Sequence, residues 1–264
     1  MMAAVLQPTA ADVLARLEAL SNDAQREVLM RFFKTGVGEY GEGDAFLGLR
    51  VPHTRSVARE VAAMSLDEVA TLLQSQWHEA RLCALLVMVD KFERLTRKRL
   101  VDDPEAVRKR DEIVDMYLAN ADRINNWDLV DLSAPKIVGH WLLLPTLKGG
   151  DVPNVATATK LAMLDELALC GHLWRQRIAM VSTWKTTQQG DPTYCLRYAE
   201  MLLCHPHDLM HKAVGWMLRE VGKRISMNLL RAFLQKHLRE MHRTTLRYAI
   251  ELMSPDERRE WLER

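Results

Sequence analysis

Residues 125–131 read NNWDLVD and place a tryptophan and a carboxylate four residues apart, at Trp127 and Asp131. Residues at this spacing share one face of a helix, so the indole and the carboxylate can face the same bound group. A carboxylate can stabilise positive charge that develops on a sugar as a glycosidic bond breaks, and it can orient the attacking water. The alternative is a tryptophan in the core with a solvated aspartate at its edge, because most aspartates are exposed.

Two later segments each combine a tryptophan with two cations close to one helical face. They are LWRQRIAMVSTWK, with Trp174, Arg177 and Lys185, and KAVGWMLREVGK, with Trp216, Arg219 and Lys223. Lysine and arginine neutralise phosphates whatever the base sequence, and aromatic faces pack on sugars or attract a cation. Each residue alone is typical of a core tryptophan or a solvated cation, but their recurrence on successive helix pairs favours a groove for duplex DNA.

The aspartate would give this groove a use beyond binding. Phosphates repel a carboxylate, so a purely electrostatic DNA binder has little use for Asp131. Cleavage of an N-glycosidic bond, by contrast, builds oxocarbenium character on the deoxyribose, and a carboxylate stabilises that charge. A purine alkylated at N3 or N7 is already cationic and a good leaving group, so one aspartate could suffice without strong acid catalysis.

The composition favours an all-helical globular chain. Of 264 residues, 48% are hydrophobic and 27% are charged, which is ordinary for a soluble domain. Only 12 Gly and 9 Pro occur, and the abundant Leu, Ala, Met, Glu and Arg favour helices. Lys+Arg is 36 against Asp+Glu 35, a formal net charge of +1. Bulk charge therefore does not indicate a nucleic-acid partner, although a local cluster of cations can still attract one.

The cysteines and the apolar segments bear on cellular location. The four cysteines are too sparse for a disulfide scaffold and indicate reduced thiols. The N-terminal segment has no basic region followed by an uninterrupted apolar core, so we expect no signal peptide. No apolar run is long enough to span a membrane. We therefore expect a cytoplasmic protein of the bacterial cytosol, associated with the nucleoid and without a membrane partner.

The second half of the chain repeats a helix, a short turn and a second helix three times. The period is near 35 residues, because Asp191 corresponds to Ser226 and Ile178 corresponds to Val214. Helix pairs at such a period indicate solenoids of the HEAT or armadillo kind, in which the second helices commonly line the concave face. We predict an all-α fold, an α-solenoid of HEAT-like helix pairs with a concave DNA-binding face.

We predict a single HEAT-like repeat domain over residues 1–264. Within it, 1–53 hold N-terminal helices and a Gly-rich loop, 54–250 form stacked helix pairs, and 251–264 form a C-terminal cap. The glycines of the loop at 36–50 allow close backbone approach, which leaves a DNA contact and ordinary packing equally open.

The pattern also predicts a buried helix over 79–92 and one continuous helix over about 127–142.

Two motifs mislead. The segment 36–41 matches GxGxxG, but a helix precedes it, whereas a dinucleotide site needs a preceding strand. The segment CHPH at 204–207 lies at a helix break without a second cysteine pair, so we expect a turn and no metal site.

Four segments together resemble the AlkD-like DNA alkylation-repair glycosylase family, which is built from HEAT-like repeats. They are YGEGDAFLGLRVPHTR (40–55), NNWDLVD (125–131), LWRQRIAM (173–180) and KAVGWMLREVGK (212–223), and the resemblance runs over about residues 25–250. It implies a monofunctional DNA glycosylase that excises cationic N3- and N7-alkylpurines from duplex DNA. It also implies no metal and no cofactor, and no deep pocket for the excised base. We expect a monomer.

The resemblance carries roles to individual residues of this sequence. Asp131 is implied as the catalytic carboxylate, with Trp127 and Trp216 flanking the deoxyribose of the lesion. Arg177 is implied to hold the adjacent DNA backbone. Further phosphate contacts are expected from Lys185, Arg219 and Lys223.

Two alternatives stay open at the level of sequence. A non-catalytic reader of damaged or branched DNA would bind DNA in a salt-sensitive manner and release no base. A protein-binding HEAT scaffold would have no DNA affinity, and the near-neutral net charge is its best support. The retained tryptophans, aspartate and arginine argue against the reader, and a cluster of Arg177, Lys185, Arg219 and Lys223 on the concave face would argue against the scaffold.

Overall fold

The computed structural model describes residues 7–150 and 155–264. These residues form an all-α protein, as predicted, and within these two ranges no β-strand occurs, only an isolated bridge between Ala45 and Trp77. The predicted chain break at 147–154 lies partly outside the described residues. The chain divides into two compact units, Met1–Leu129 and Val130–Arg264. The predicted single domain and the solenoid arrangement stay predictions.

The first unit contains six helices and two short 3-10 turns among its described residues. The helices are α1 (Ala10–Glu18), α2 (Asp23–Phe32), α3 (Val51–Glu60), α4 (Leu66–Leu73), α5 (His78–Leu95) and α6 (Pro104–Ala119). The 3-10 turns are Lys98–Leu100 and Ala121–Arg123. The predicted buried helix corresponds to α5, which buries residues around most of its girth and packs against both α3 and α4.

A further helix, α7 (Trp127–Ser133), contains the division between the units. The second unit continues with α8 (Val138–Trp141), α9 (Thr157–Leu169), α10 (Leu173–Gln188), α11 (Thr193–Met201), α12 (Asp208–Arg224), α13 (Met227–His237), α14 (Arg243–Ala249) and α15 (Pro255–Glu263). The three predicted pairs are α9 with α10, α11 with α12, and α13 with α14. Their second helices begin at residues 173, 208 and 243, in agreement with the predicted period near 35 residues.

The continuous helix predicted over about 127–142 is wrong. The chain forms α7 and α8 with a turn over residues 134–137 between them. Pro135 lies in this turn; it has no N–H to donate, and its ring disfavours helical backbone at the preceding Ala134. The prediction missed the interruption because the apolar periodicity continues through the turn.

In the second unit, the second helices of successive pairs pack on one another. The helix α8 contacts α10, α10 contacts α12, and α12 contacts α14. Two glycines permit the close approach: a Cβ on Gly139 would lie 2.3 Å from the carbonyl oxygen of Ser182, and one on Gly215 would lie 2.5 Å from that of Thr245. These helices therefore form one layer that can carry side chains in a row.

Histidines begin the second helices at the period of the repeat. His172, His207 and His242 are the N-cap residues of α10, α12 and α14, and each accepts a backbone N–H through its imidazole Nδ1. The N···N distances are 3.4, 3.1 and 3.4 Å. A neutral imidazole with its proton on Nε2 therefore replaces the serine, threonine, aspartate or asparagine that usually caps a helix.

Candidate functional site

The helix α7 carries both Trp127 and Asp131, so the four-residue spacing places them one turn apart, as predicted. Asn126 precedes the helix, and its side-chain oxygen accepts the backbone N–H of Trp127 at 2.9 Å. The asparagine thus satisfies one of the N–H groups that have no partner within the helix. The division between the two units falls after Leu129, so Trp127 belongs to the first unit and Asp131 to the second.

In the first unit, Trp127 is half-buried in an aromatic cluster. Its ring stacks on Phe33 with the centroids 5.5 Å apart, and Phe32 lies edge-on at 5.9 Å. The indole Nε1 donates to the hydroxyl oxygen of Tyr40 at 3.3 Å. These contacts fix the plane of the indole, whereas Phe32 remains 60% exposed and extends the aromatic surface to solvent.

The Gly-rich loop is held by carboxylates. Near its tip, the backbone N–H of Gly36 donates to Glu39, and that of Gly38 donates to Glu42. A phosphate cradle needs such N–H groups free and without competing negative charge. The segment that matches GxGxxG is therefore a turn held by its own carboxylates.

The second part of the loop rests on a buried acid that follows the start of α5. The carboxylate of Glu79 accepts the backbone N–H groups of Leu47, Gly48 and Leu49 at distances of 2.9, 2.8 and 3.0 Å. Glu79 is 2% exposed. Three backbone donors compensate the burial of its charge, and they fix the conformation of residues 47–49.

In the second unit, Asp131 and Arg177 form a two-point ion pair. Arg177 Nε donates to Asp131 Oδ1 at 2.9 Å, and Nη2 donates to Oδ2 at 2.8 Å. Arg177 Nη1 donates to the carbonyl oxygen of Leu209 at 2.6 Å. The arginine side chain is 6% exposed and the aspartate side chain is 19% exposed. The guanidinium therefore orients the carboxylate, and the carboxylate is the more open partner of the pair.

The tryptophan and the cations of α12 lie at different depths. Trp216 is half-buried, and Lys223 is exposed in the last turn. Arg219 forms an ion pair with Glu251 and lies 3.8 Å from a carboxylate oxygen of Glu220. The charge of Arg219 is thus largely balanced, whereas Lys223 presents its charge to solvent.

The remaining predicted residues lie on α10. Trp174 is buried in the core, which removes it as a surface for a sugar. Lys185 is half-buried in the last turn, where its Nζ donates to the side-chain oxygen of Gln188 at 3.2 Å. Of the predicted cations, Lys185 and Lys223 are thus the two without a carboxylate partner among the contacts of the described residues.

The geometry also bears on metal and membrane association. Across residues 7–150 and 155–264, no group of three or more His, Cys, Asp or Glu side chains has an arrangement that could hold a metal ion. Among the helices of this same part of the chain, none is both long and apolar enough to cross a membrane.

Comparison with known proteins assigns a family. The family described as DNA alkylation repair enzyme matches residues 13–253. The chain belongs to this family. A solved structure described as a predicted DNA alkylation repair enzyme from Enterococcus faecalis is similar, with a TM-score of 0.58 and 13% sequence identity over 89% of this chain and 97% of that one. At this identity the likeness concerns the fold alone. Among curated proteins, no sequence matches this chain.

Membership in the DNA alkylation repair family confirms the resemblance drawn from the four sequence segments. It supports an enzyme with a role in the repair of alkylated DNA, and it implies DNA as the partner.

Sequence reasoning missed several residues around the site of this repair-family protein. They are Phe33 and Tyr40 beside Trp127, and the buried polar residues Asp44, His78 and Arg81. One signal was available: α5 begins with HEAR, which places three polar side chains directly before the apolar run at 82–89. Buried charges are rare unless they are paired, so this departure from the pattern indicated a polar network.

Proposed function

We propose that this protein is a monofunctional DNA glycosylase that hydrolyses the N-glycosidic bond of cationic N3- and N7-alkylpurines in duplex DNA. One observation carries the proposal: Asp131 has both oxygens oriented by Arg177 and remains 19% exposed. Membership in the DNA alkylation repair family supports alkylated DNA as the substrate in this proposal. The reaction would begin base excision repair.

In the proposed reaction, the bond between C1′ of the deoxyribose and the purine nitrogen breaks first. Its electron pair passes to the purine, which neutralises the positive charge of the alkylated base. Positive charge develops on the sugar, where the Asp131 carboxylate stabilises it. Water then adds to C1′ and loses its proton to the carboxylate or to solvent. The products are a free alkylpurine and an abasic site.

The other residues receive supporting roles in this proposal. Trp127 and Trp216 would flank the deoxyribose of the lesion, where aromatic faces stabilise developing positive charge. Arg177 would orient Asp131 rather than hold the DNA backbone directly, because its guanidinium already binds the carboxylate and the carbonyl of Leu209. Phosphate contacts would come from Lys185 and Lys223 on the second helices, which we propose to line a concave DNA-binding face of a HEAT-like solenoid.

The same ion pair favours a second candidate, a non-catalytic reader of alkylated DNA. Both oxygens of Asp131 already accept hydrogen bonds from Arg177. A carboxylate engaged in this way can serve structure alone, in which case the surface would bind DNA without chemistry. The two candidates differ in base release and not in DNA affinity.

The deciding experiment measures release of 7-methylguanine and 3-methyladenine from methylated duplex DNA by the wild type and by Asp131→Asn. We expect release by the wild type, a loss of about 100-fold or more in the variant, and unchanged or tighter DNA binding because a charge repelled by phosphate is removed.

Asp165→Asn is the matched control. Asp165 on the first helix α9 forms a two-point pair with Arg197 on the first helix α11, at 3.1 and 2.6 Å, in the same unit. This control should keep the wild-type rate. Base release by Asp131→Asn at the wild-type rate would refute the proposed role of the carboxylate, and DNA binding without release by the wild type would establish the reader.

A further inference from the structure

His78 begins α5 and lies completely inside the first unit, with 2% of its surface exposed. Its Nδ1 lies 3.2 Å from a carboxylate oxygen of Asp44, and its Nε2 lies 2.9 Å from one of Asp128. A carboxylate oxygen only accepts hydrogen bonds, so each ring nitrogen must donate. The geometry therefore requires the doubly protonated imidazolium, bound between two acids.

The charges of this network balance. Asp44 also pairs with the buried Arg81, so two carboxylates face one imidazolium and one guanidinium. Burial alone would lower the pKa of His78, but the charges and hydrogen bonds of Asp128 and Asp44 outweigh it and raise the pKa to about 9. Burial likewise opposes ionisation of Asp44, yet its partners hold its pKa below the usual value. These shifts keep the His78 imidazolium and the Asp44 carboxylate charged at neutral pH.

Hydrogen bonds connect this network to the backbone around Trp127. Asp44 accepts the side-chain N–H of Asn126 at 3.2 Å, and the oxygen of the same asparagine accepts the Trp127 backbone N–H at 2.9 Å. On the other side of Trp127, Asp128 is bound to His78. Both sequence neighbours of the tryptophan are thus tied to one imidazolium and its acid.

Aromatic rings connect His78 to the indole as well. Phe46 stacks on the His78 ring at 4.5 Å, Phe33 stacks on Phe46 at 5.1 Å, and Phe33 stacks on Trp127 at 5.5 Å. A shift of the His78 ring would therefore move the support of the indole as well as the start of α7.

We propose that His78 is a positioning residue: clamped between Asp44 and Asp128, it fixes the indole of Trp127 and the first turn of α7 for base excision. This role rests on the proposed glycosylase function. It differs from a general contribution to stability because it acts through one residue, Trp127.

The test compares single-turnover base release by the wild type, His78→Gln, Trp127→Phe and the double variant. Glutamine keeps part of the volume of histidine but cannot donate from two opposed ring positions. We expect His78→Gln to lower the rate constant about 10- to 100-fold with little change in DNA affinity. In the Trp127→Phe background, His78→Gln should lower the rate constant much less, because the effects of substitutions at residues that act together are not additive.

His237→Gln is the matched control. His237 is also buried, on α13, and its ring nitrogens lie 3.6 and 3.8 Å from Glu200 and Glu240. The His237→Gln variant should retain the wild-type rate constant for base release. The role of His78 would be overturned by an unchanged rate constant in His78→Gln, or by an equally large decrease of the rate constant when the substitution is made in the Trp127→Phe background. In either case, base release by the wild type would still support the glycosylase. A wild type that releases no base would instead overturn the proposed function and this role with it.

If His78→Gln does not fold, Asp128→Asn takes its place, because it removes one acid of the clamp and keeps the shape of the side chain. The indole N–H resonance of Trp127, assigned from Trp127→Phe, then reports on position directly. We expect it to shift or broaden in Asp128→Asn together with a lower rate. A wild-type resonance and rate in that variant would overturn the proposal.

Discussion

At the residue scale, the arrangement of Asp131 and Arg177 determines what the carboxylate can do. A planar guanidinium that donates to both oxygens fixes the direction of the carboxylate, which a single hydrogen bond does not. Hydrogen bonds between charged groups contribute about 1.5–3 kcal/mol each, and the loss of one partner leaves the other charge without compensation. The pair therefore combines a structural contribution with the orientation that the proposed chemistry needs.

Replacement of Arg177 by lysine separates these two contributions. Lysine keeps the positive charge but cannot bind both carboxylate oxygens in a fixed plane. We expect Arg177→Lys to lower the rate constant for base release by about 10-fold or more, while the melting temperature falls only modestly. Single-turnover kinetics and thermal unfolding of the same preparations provide the measurement.

Arg197→Lys is the control for this substitution. Arg197 binds Asp165 with the same two-point geometry, and it is half-exposed. Equal effects of the two substitutions on base release would show that Arg177 contributes only to folding.

At the element scale, the His207 cap makes α12 sensitive to pH. The cap depends on a lone pair at Nδ1, which protonation removes, and the added proton would place a positive charge at the positive end of the helix dipole. Burial lowers the pKa of His207, and His211 and Lys212 lower it further against the opposing charge of Asp208. Arg177 of the neighbouring α10 acts in the same direction as the burial.

The sign of the pH dependence follows for α12. Because the folded pKa of His207 lies below its unfolded value of about 6.5, the unfolded chain binds the proton more readily. The contribution of the cap is therefore complete above about pH 6.5 and is lost as the pH falls below that value. A serine cap does not titrate. We therefore expect the free energy of unfolding to decrease between about pH 7.5 and pH 5.5 by about 1 kcal/mol less in His207→Ser than in the wild type.

Urea unfolding at the two pH values measures this difference. The control is His53→Ser, because His53 is exposed on α3 and does not cap that helix. If His53→Ser and His207→Ser reduce the pH dependence equally, the cap is not the source of the effect.

At the scale of the whole molecule, a net charge of +1 means that DNA binding must come from a local excess of cations. Carboxylates balance Arg177 and Arg219, so we expect the phosphate contacts of the predicted row of cations to come mainly from the lysines. The expected number of phosphate contacts is therefore smaller than the number of basic residues on the second helices. The salt dependence of binding should be correspondingly shallow.

This expectation can be tested with Lys223→Ala. The slope of log K against log salt concentration should decrease by about 1, with DNA affinity measured by fluorescence anisotropy over a range of salt concentrations. Lys236→Ala is the control, because Lys236 is on the first helix α13 and is paired with Glu200 at 3.0 Å. A decrease in both variants, or in neither, would place the DNA surface elsewhere.

The sequence by itself determined the helices and their pairing. Periodicity and caps act over a few residues, so the helical class, the pairs at a period near 35 residues, and the shared helix of Trp127 and Asp131 could all be read directly. The one clear error near the site, a continuous helix over 127–142, arose where a single proline outweighed an apolar pattern that continued on both sides.

Only the tertiary structure decided which partner each charged side chain takes. Arg177 binds Asp131, 46 residues away in the chain, while its expected contact with the DNA backbone stays a prediction. His78 joins Asp44 and Asp128 across 34 and 50 residues. The physical reason is that a buried charge must be compensated wherever packing brings a partner near, and that partner is not encoded by local spacing. The sequence could therefore name the aspartate and the tryptophan of the candidate site, while the groups that hold both in place depended on the fold.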